Sequence, residues 1–378
     1  MGRAGVADRS RKSDGGDAHR PQSAEFIQLL TPEGELTTHP EFAVEVTPEG
    51  LRGLYEDMAR ARAVDAEGIV LQRQGELGLW PSLLGQEAAQ IGSGRALADR
   101  DHVFPSYRDH GVALSRGMDP ADLFALFRGV SHGGWDPAEH NFHLYTLVIG
   151  AQTLHATGYA MGLAKDGADA AVVVYFGDGA TSQGDVSEAF NFAVLNDAPV
   201  VFFCQNNQWA ISEPTEKQTR VPLYRRASGF GFPGVRVDGN DVLACLAVTR
   251  WALERARNGE GPTLIEAYTY RMGAHTTSDD PTRYRDATEV EEWRGKDPIA
   301  RLGALLTSRG WADEAYFAEV DGRCRQAAKD VRERVRAMTV PDPGLMFRHG
   351  YADGHALVDE EYAQFTAYTA AFADSEGC

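Results

Sequence analysis

The sequence predicts an α/β fold: a mostly parallel sheet with helices on both faces, an extended N-terminal arm and a helical C-terminal part. Three observations predict it. The runs Asp169 to Phe176, Pro199 to Cys204 and Thr263 to Tyr268 are largely hydrophobic without alternation, the pattern of strands buried on both faces. Helical stretches, Ser187 to Leu195 and Asp241 to Asn258, stand between them, as crossovers in a parallel sheet require. The first two runs lead directly into polar segments rich in glycine or asparagine, and ligands in such folds sit beyond the carboxyl ends of the strands.

Residues 1–22 are polar, rich in Arg, Asp, Ser and Gly, and read as a disordered tail. Residues 23–46 carry Leu29, Leu30, Pro32, Gly34 and Pro40 without a sustained period and read as an extended arm. The main domain is expected over residues 47–345. Thr47-Pro48 opens it as a helix cap and first turn, and Leu51, Leu54, Tyr55, Met58, Ala61 and Val64 continue as a helical stripe. Leu83 to Ala98 is read as a second helix, Asp101 to Phe104 as a short strand and Pro120 to Phe127 as a helix. Thr153 to Ala164 is helical by composition, its small residues at 156, 158, 160, 162 and 164 suited to close packing. Gly234 to Val237 adds a strand, and Met272 to Arg285 a long loop, a length that is commonly functional. Lys296 to Ser308 and Ala312 to Met338 read as solvent-facing helices, and residues 346–378 as an aromatic C-terminal tail.

Composition narrows the function. A net charge of −18 without a basic stripe argues against nucleic-acid binding. No apolar run reaches the ~18 residues of a membrane span. Four scattered cysteines without Cys-x-x-Cys spacing fit reduced thiols in a cytoplasmic protein better than disulfides or a structural zinc site.

The strongest chemical signal follows the strand ending at Phe176: Gly177-Asp178-Gly179-Ala180-Thr181-Ser182-Gln183-Gly184. One helix and one strand later comes Gln205-Asn206-Asn207-Gln208-Trp209. Each segment alone is an ordinary turn. Together, after parallel strands, they leave the same sheet edge, so Asp178 and Asn207 point at one spot. Mg²⁺ takes about six oxygen ligands and normally shares them with phosphates. The Asp178 carboxylate, the Asn207 amide and the Trp209 carbonyl are three, leaving two diphosphate oxygens and a water. Gly177, Gly179 and Gly184 allow close backbone approach, and a helix starting near Ser182 aims its N–H groups at the diphosphate. The Walker pattern and Gly-x-Gly-x-x-Gly after a strand are both absent.

Gly-Asp-Gly followed at this distance by Asn-Asn is the thiamine diphosphate motif. With Phe203-Cys204 and Ala210-Ile211-Ser212-Glu213-Pro214-Thr215, the chain resembles the alpha subunits of branched-chain 2-oxo acid dehydrogenase complexes, with pyruvate dehydrogenase alpha subunits close. The resemblance covers roughly residues 45 to 340 and implies a thiamine-diphosphate-binding fold. It implies Mg²⁺ on Asp178, Asn207 and the Trp209 carbonyl, where relatives commonly carry tyrosine, and places Gly177, Gly179 and Ala180 against the cofactor.

The resemblance also assigns the stretch Tyr270 to Pro281 to the family's active-site loop. Arg271 is then a diphosphate ligand and His275 the catalytic histidine, suited to proton exchange near neutral pH. Tyr107-Arg108 matches a diphosphate-binding Tyr-Arg pair, and Gln152 is placed near the aminopyrimidine or the pocket rim. Between Gly129 and Val148 the text departs from the family, leaving His140 and His143 as candidates for a pocket histidine. Only a diphosphate-binding domain is visible, so the resemblance implies a beta subunit in an α₂β₂ enzyme, with a lipoylated acyltransferase as the acyl acceptor. The rival of another class is a non-catalytic thiamine-binding or scaffolding subunit.

Overall fold

Residues 26–131 and 134–372 are described by the computed structural model; the expected tail over 1–22 lies outside them. The central sheet consists of β1 (His102–Phe104), β2 (Val172–Gly177), β3 (Val200–Asn206), β6 (Gly234–Asp238) and β7 (Thr263–Tyr268). Its order is β1-β2-β3-β7-β6, and every pair is parallel. Two short strands, β4 (Trp209–Ala210) and β5 (Glu213–Pro214), form a separate antiparallel hairpin.

The unbroken hydrophobic strands now have their reason. Val173, Tyr175, Val201, Phe203 and Ile265 enter one core, with the helices Pro48–Arg73, Glu87–Gly94 and Val242–Arg257. Val172, Val174, Phe176, Val200, Phe202, Cys204 and Leu264 enter the other, with Ala151–Asp166 and Gly184–Leu195. Register sets Gly177 beside Gln205 and Asn206 beside Tyr268, so the three central strands end together.

Both borders of the sheet are met by irregular chain. Ile27 donates its N–H to the Arg236 carbonyl and accepts from the Asp238 N–H, along β6. Leu29 and Leu30 follow it into the core, their N–H groups held by the Asp241 carboxylate, at 2.6 Å each. Beyond β1, the Val103 N–H donates to the Asn141 carbonyl and the His143 N–H to the Val103 carbonyl.

Several expectations need correction. The helix expected over 83–98 spans Glu87–Gly94. Gly85, ahead of it, takes φ +95°, and a Cβ there would lie 2.4 Å from the Tyr270 carbonyl oxygen, a tertiary constraint without local signal. Of the small residues expected to pack closely, Ala156 and Ala160 are buried, whereas Gly158 and Gly162 meet nothing within 4 Å. Positions two apart point to different sides of a helix. A 3₁₀ turn, Asp178–Ser182, precedes the helix expected near Ser182, which starts at Gly184.

The C-terminal helices are not merely solvent-facing. Pro298–Ser308 buries Leu302, Leu305 and Leu306, and Glu314–Ala337 buries Val320, Cys324, Val331 and Val335. Those spacings are helical stripes obscured by the surrounding Arg, Glu and Asp. The stretch expected as a C-terminal tail includes the helix Ala356–Ala370, which buries no residue.

Candidate active site

A cavity of about 260 Å³ opens at the carboxyl ends of β2 and β3. Eleven of the residues singled out from sequence line it: Tyr107, Arg108, Gln152, Gly177, Asp178, Gly179, Ala180, Asn207, Trp209, Arg271 and His275. Neither His140 nor His143 does. His143 stacks on Phe104, ring centroids 3.7 Å apart, and His140 turns its carbonyl to Arg116.

At the end of β2 the chain turns at once into the 3₁₀ segment. Of the three glycines expected to be needed for close approach, only Gly179 is sterically demanded: a Cβ there would lie 2.7 Å from that of Ala210. Gly177 and Gly184 have open space around them. Gly179→Ala is expected to push the β4–β5 hairpin outward and weaken cofactor affinity by about tenfold or more, with the fold kept. Calorimetric titration of the variant reads this directly.

Asp178 is buried, and its Oδ2 accepts from Thr215 Oγ1 at 2.8 Å and Gln218 Nε2 at 3.1 Å. Burial pushes its carboxyl above the ordinary range, against the lowering effect of these bonds. A buried carboxylate with neutral hydrogen-bond partners suits a cation. The two asparagines divide the labour. Asn206 turns inward and donates to Glu266 at 2.7 Å. Asn207 donates its amide N–H to Gln86 Oε1 at 3.0 Å, leaving its oxygen as the acceptor. Gln208 and Ile211 hold positive φ, 71° and 55°, a strained backbone that shapes the hairpin carrying the Trp209 carbonyl. That carbonyl already accepts from Arg271 Nη1 at 2.7 Å, so one lone pair remains for a metal. Among the described residues no cluster of three or more His, Cys, Asp or Glu could hold an ion unaided. The oxygen set here therefore fits Mg²⁺ only with ligand oxygens added.

Two guanidinium groups supply positive charge. Arg271 is 1% exposed, spans the Trp209 and Ile211 carbonyls, and leaves its Nε without a partner. Burial and then Arg108 lower its pKa to about 10, so it stays charged at neutral pH. Arg108 donates to the Ser82 carbonyl at 2.6 Å and the His275 carbonyl at 2.7 Å. Neither arginine forms a salt bridge to a carboxylate among the described residues. Buried cations without a counter-ion around one cavity make an anion site.

His275 stands between them, its Nδ1 3.3 Å from Arg108 Nη2 and 3.4 Å from Arg271 Nη1. A guanidinium only donates, so Nδ1 is the acceptor and the ring proton sits on Nε2. Burial, then Arg108 and Arg271, push the imidazole down to about 3. This corrects the expectation of a nearly unshifted histidine: burial and two cations, Arg271 on the same loop and Arg108 from a distant part of the chain, stand against it.

Gln152 donates to the Tyr175 carbonyl at 2.9 Å, and its buried Oε1 has no partner. Sequence reasoning missed Gln86, Gln205, Ile149 and Ile211, which also line the cavity. Gln86 lies in the Gly-Gln-Glu-Ala stretch that carried a helical signal. Nothing local marks it as the partner of Asn207.

Comparison with known proteins agrees with this architecture. Residues 55–343 match the family described as Dehydrogenase E1 component. The chain is 46% identical over 330 residues to the 3-methyl-2-oxobutanoate dehydrogenase subunit alpha of Mycobacterium tuberculosis, covering 87% of this chain and 90% of that one. It is 41% identical over 307 residues to the pyruvate dehydrogenase E1 component subunit alpha of Staphylococcus epidermidis, covering 81% and 83%. The Staphylococcus aureus protein of that name gives the same figures, 41% over 307 residues. With matches of this extent, the chain belongs to the dehydrogenase E1 component family.

Proposed function

We propose that this chain is the thiamine-diphosphate-binding alpha subunit of an α₂β₂ enzyme that decarboxylates branched-chain 2-oxo acids and passes the acyl group to a lipoylated acyltransferase. One observation carries the reading: two buried, unpaired guanidiniums, a buried carboxylate and a neutral imidazole face one cavity at the ends of β2 and β3. In it the Asp178 carboxylate, the Asn207 amide oxygen and the Trp209 carbonyl hold Mg²⁺, and Arg108 and Arg271 bind the diphosphate.

Thiamine diphosphate, when bound, supplies a nucleophilic ring carbon and an electron sink for decarboxylation. The protein's residues do the rest. Tyr107, Gln152 and the backbone at Gly177, Gly179 and Ala180 orient the cofactor. His275 holds a proton at Nε2, poised to donate to a substrate oxygen and take the proton back. Ile149 and Ile211, both in the cavity wall, offer an apolar face to a branched side chain. No helix of the described residues is long and apolar enough to cross a membrane. The free thiols of Cys204, Cys245 and Cys324 suit a reducing cytoplasm.

The branched-chain reading is supported by the Mycobacterium relative, the pyruvate alternative by the Staphylococcus ones. Carbon dioxide release by the chain co-expressed with its beta subunit decides between them. 3-Methyl-2-oxobutanoate is expected to exceed pyruvate in kcat/KM by roughly 10- to 200-fold, the worth of a methylene or two in a pocket. Equal or better use of pyruvate overturns the substrate assignment. No turnover of either, with cofactor bound, points to a non-catalytic subunit.

A further inference from the structure

The loop that carries His275 is hung along the segment Trp80–Leu84. The Met272 N–H donates to the Leu84 carbonyl at 3.0 Å, and the Thr277 N–H to the Trp80 carbonyl at 3.0 Å. Thr277 returns the contact, its hydroxyl accepting from the Trp80 N–H at 2.9 Å. His275 lies between these two points of suspension.

That supporting segment is itself fixed from behind by one side chain. Asp65, on the helix Pro48–Arg73, accepts from the Trp80 indole N–H at 2.9 Å, the Ser82 hydroxyl at 2.5 Å and the Leu83 N–H at 2.9 Å. The indole is fully buried and stacked between His110 and Phe124, each 4.3 Å away by ring centroid. Gly68 lets the helix lie flush against it, since a Cβ there would meet the indole at 2.4 Å. From the same segment the Ser82 carbonyl takes one arm of Arg108, whose other arm holds the His275 carbonyl. The bonds thus form a closed circuit: Thr277, Trp80, Asp65, Ser82, Arg108, His275. Asp65, Trp80, Ser82 and Thr277 do not line the cavity.

We infer that this circuit sets the position of the His275 imidazole, and that Thr277 and Asp65 are positioning residues for the reaction. The inference rests on the catalytic role proposed for His275 above. In the cavity that ring contacts guanidinium groups, and guanidiniums repel one another and hold a neutral ring only weakly. Its backbone is held within the loop by Asp279, which accepts from the His275 N–H at 2.8 Å, and the circuit ties that loop to the rest of the fold. A displacement of about 1 Å at a reacting group costs on the order of a hundredfold in rate.

The test uses the enzyme assembled with its beta subunit. Thr277→Val keeps the side-chain shape, removes the acceptor and leaves the Trp80 N–H unpaired; Thr277→Ser restores the hydroxyl. T277V is expected to raise amide exchange over residues 272–279 and lower kcat between about ten- and a hundredfold, with KM within about twofold, and T277S to return both toward wild type. Asp65→Asn is expected to raise exchange in 80–84 and 272–279 together. Wild-type kcat in T277V, absence of rescue by T277S, or loosening confined to 80–84 in D65N overturns the inference. If D65N does not assemble, the threonine pair still decides. His275→Ala separates the two readings: turnover retained there removes the role of the histidine, whereas the exchange data still judge the circuit.

Discussion

Asp178→Asn is expected to abolish the thermal stabilisation that thiamine diphosphate and Mg²⁺ together give the assembled enzyme, and turnover with it. The carboxylate is buried, and its recorded bonds come from the neutral donors Thr215 and Gln218. In the proposed metal site Asp178 is thus the negative charge that the protein would add to that of the diphosphate. Loss of a residue one layer further out commonly costs about 10- to 100-fold in metal affinity, so loss of the charge itself should cost at least about a hundredfold. Without cofactor the sign reverses. Burial holds the Asp178 carboxyl above its ordinary range, so folding favours its protonated form. That contribution is present at low pH and is lost as pH rises through the folded value. The neutral amide escapes the penalty. Cofactor-free D178N should therefore melt at or above the wild-type temperature at neutral pH, while the ligand-dependent rise vanishes. An undiminished rise in a thermal-shift titration would remove Asp178 from the metal site.

His275→Ala is expected to lower kcat by about 10² to 10⁴-fold while cofactor affinity changes little. In the proposed site Arg108 and Arg271 would hold the diphosphate, and neither depends on the imidazole for its carbonyl partners. The pH dependence is specific. Burial and the two guanidiniums push His275 down to about 3, so the cofactor-free protein keeps a neutral ring across the physiological range. Because the folded pKa lies below the ordinary one, this group adds stability at neutral pH that is lost as pH falls toward 3. A diphosphate bound as proposed would offset the two cations and raise the ring toward working pH. Nitrogen-labelled histidine NMR should show the Nε2–H tautomer, with no titration between about pH 5 and 8 until cofactor is added. A midpoint near the ordinary histidine value in the free protein would contradict the electrostatics described.

The parts that sequence reasoning located share one property: their signal is local. Val172 to Phe176 and Val200 to Cys204 are apolar at every position because each strand is buried on both faces. Asp178 and Asn207 stand directly after those strands, so adjacency in sequence became adjacency in space. What was illegible depended on distant partners. Gly85 turns at φ +95° close against Tyr270, ahead of a helix that composition extends and that starts at Glu87. The low pKa of His275 comes partly from Arg108, far away in the chain. Gln86 matters through Asn207. The stripe Val320, Cys324, Val331 and Val335 was present in the sequence, but the charges between its members hid it.

The irregular chain at Ile27 and at Asn141–His143 carries a consequence for assembly. The Arg236 carbonyl and the Asp238 N–H are already engaged by Ile27, and both main-chain groups of Val103 by Asn141 and His143. At these positions an added strand would first have to displace this chain, so pairing through backbone alone, which accepts many sequences, is blocked there. Recognition of the beta chain must be written in side chains on helices and loops, where single substitutions tune fidelity and an unfolded stranger finds no template to copy.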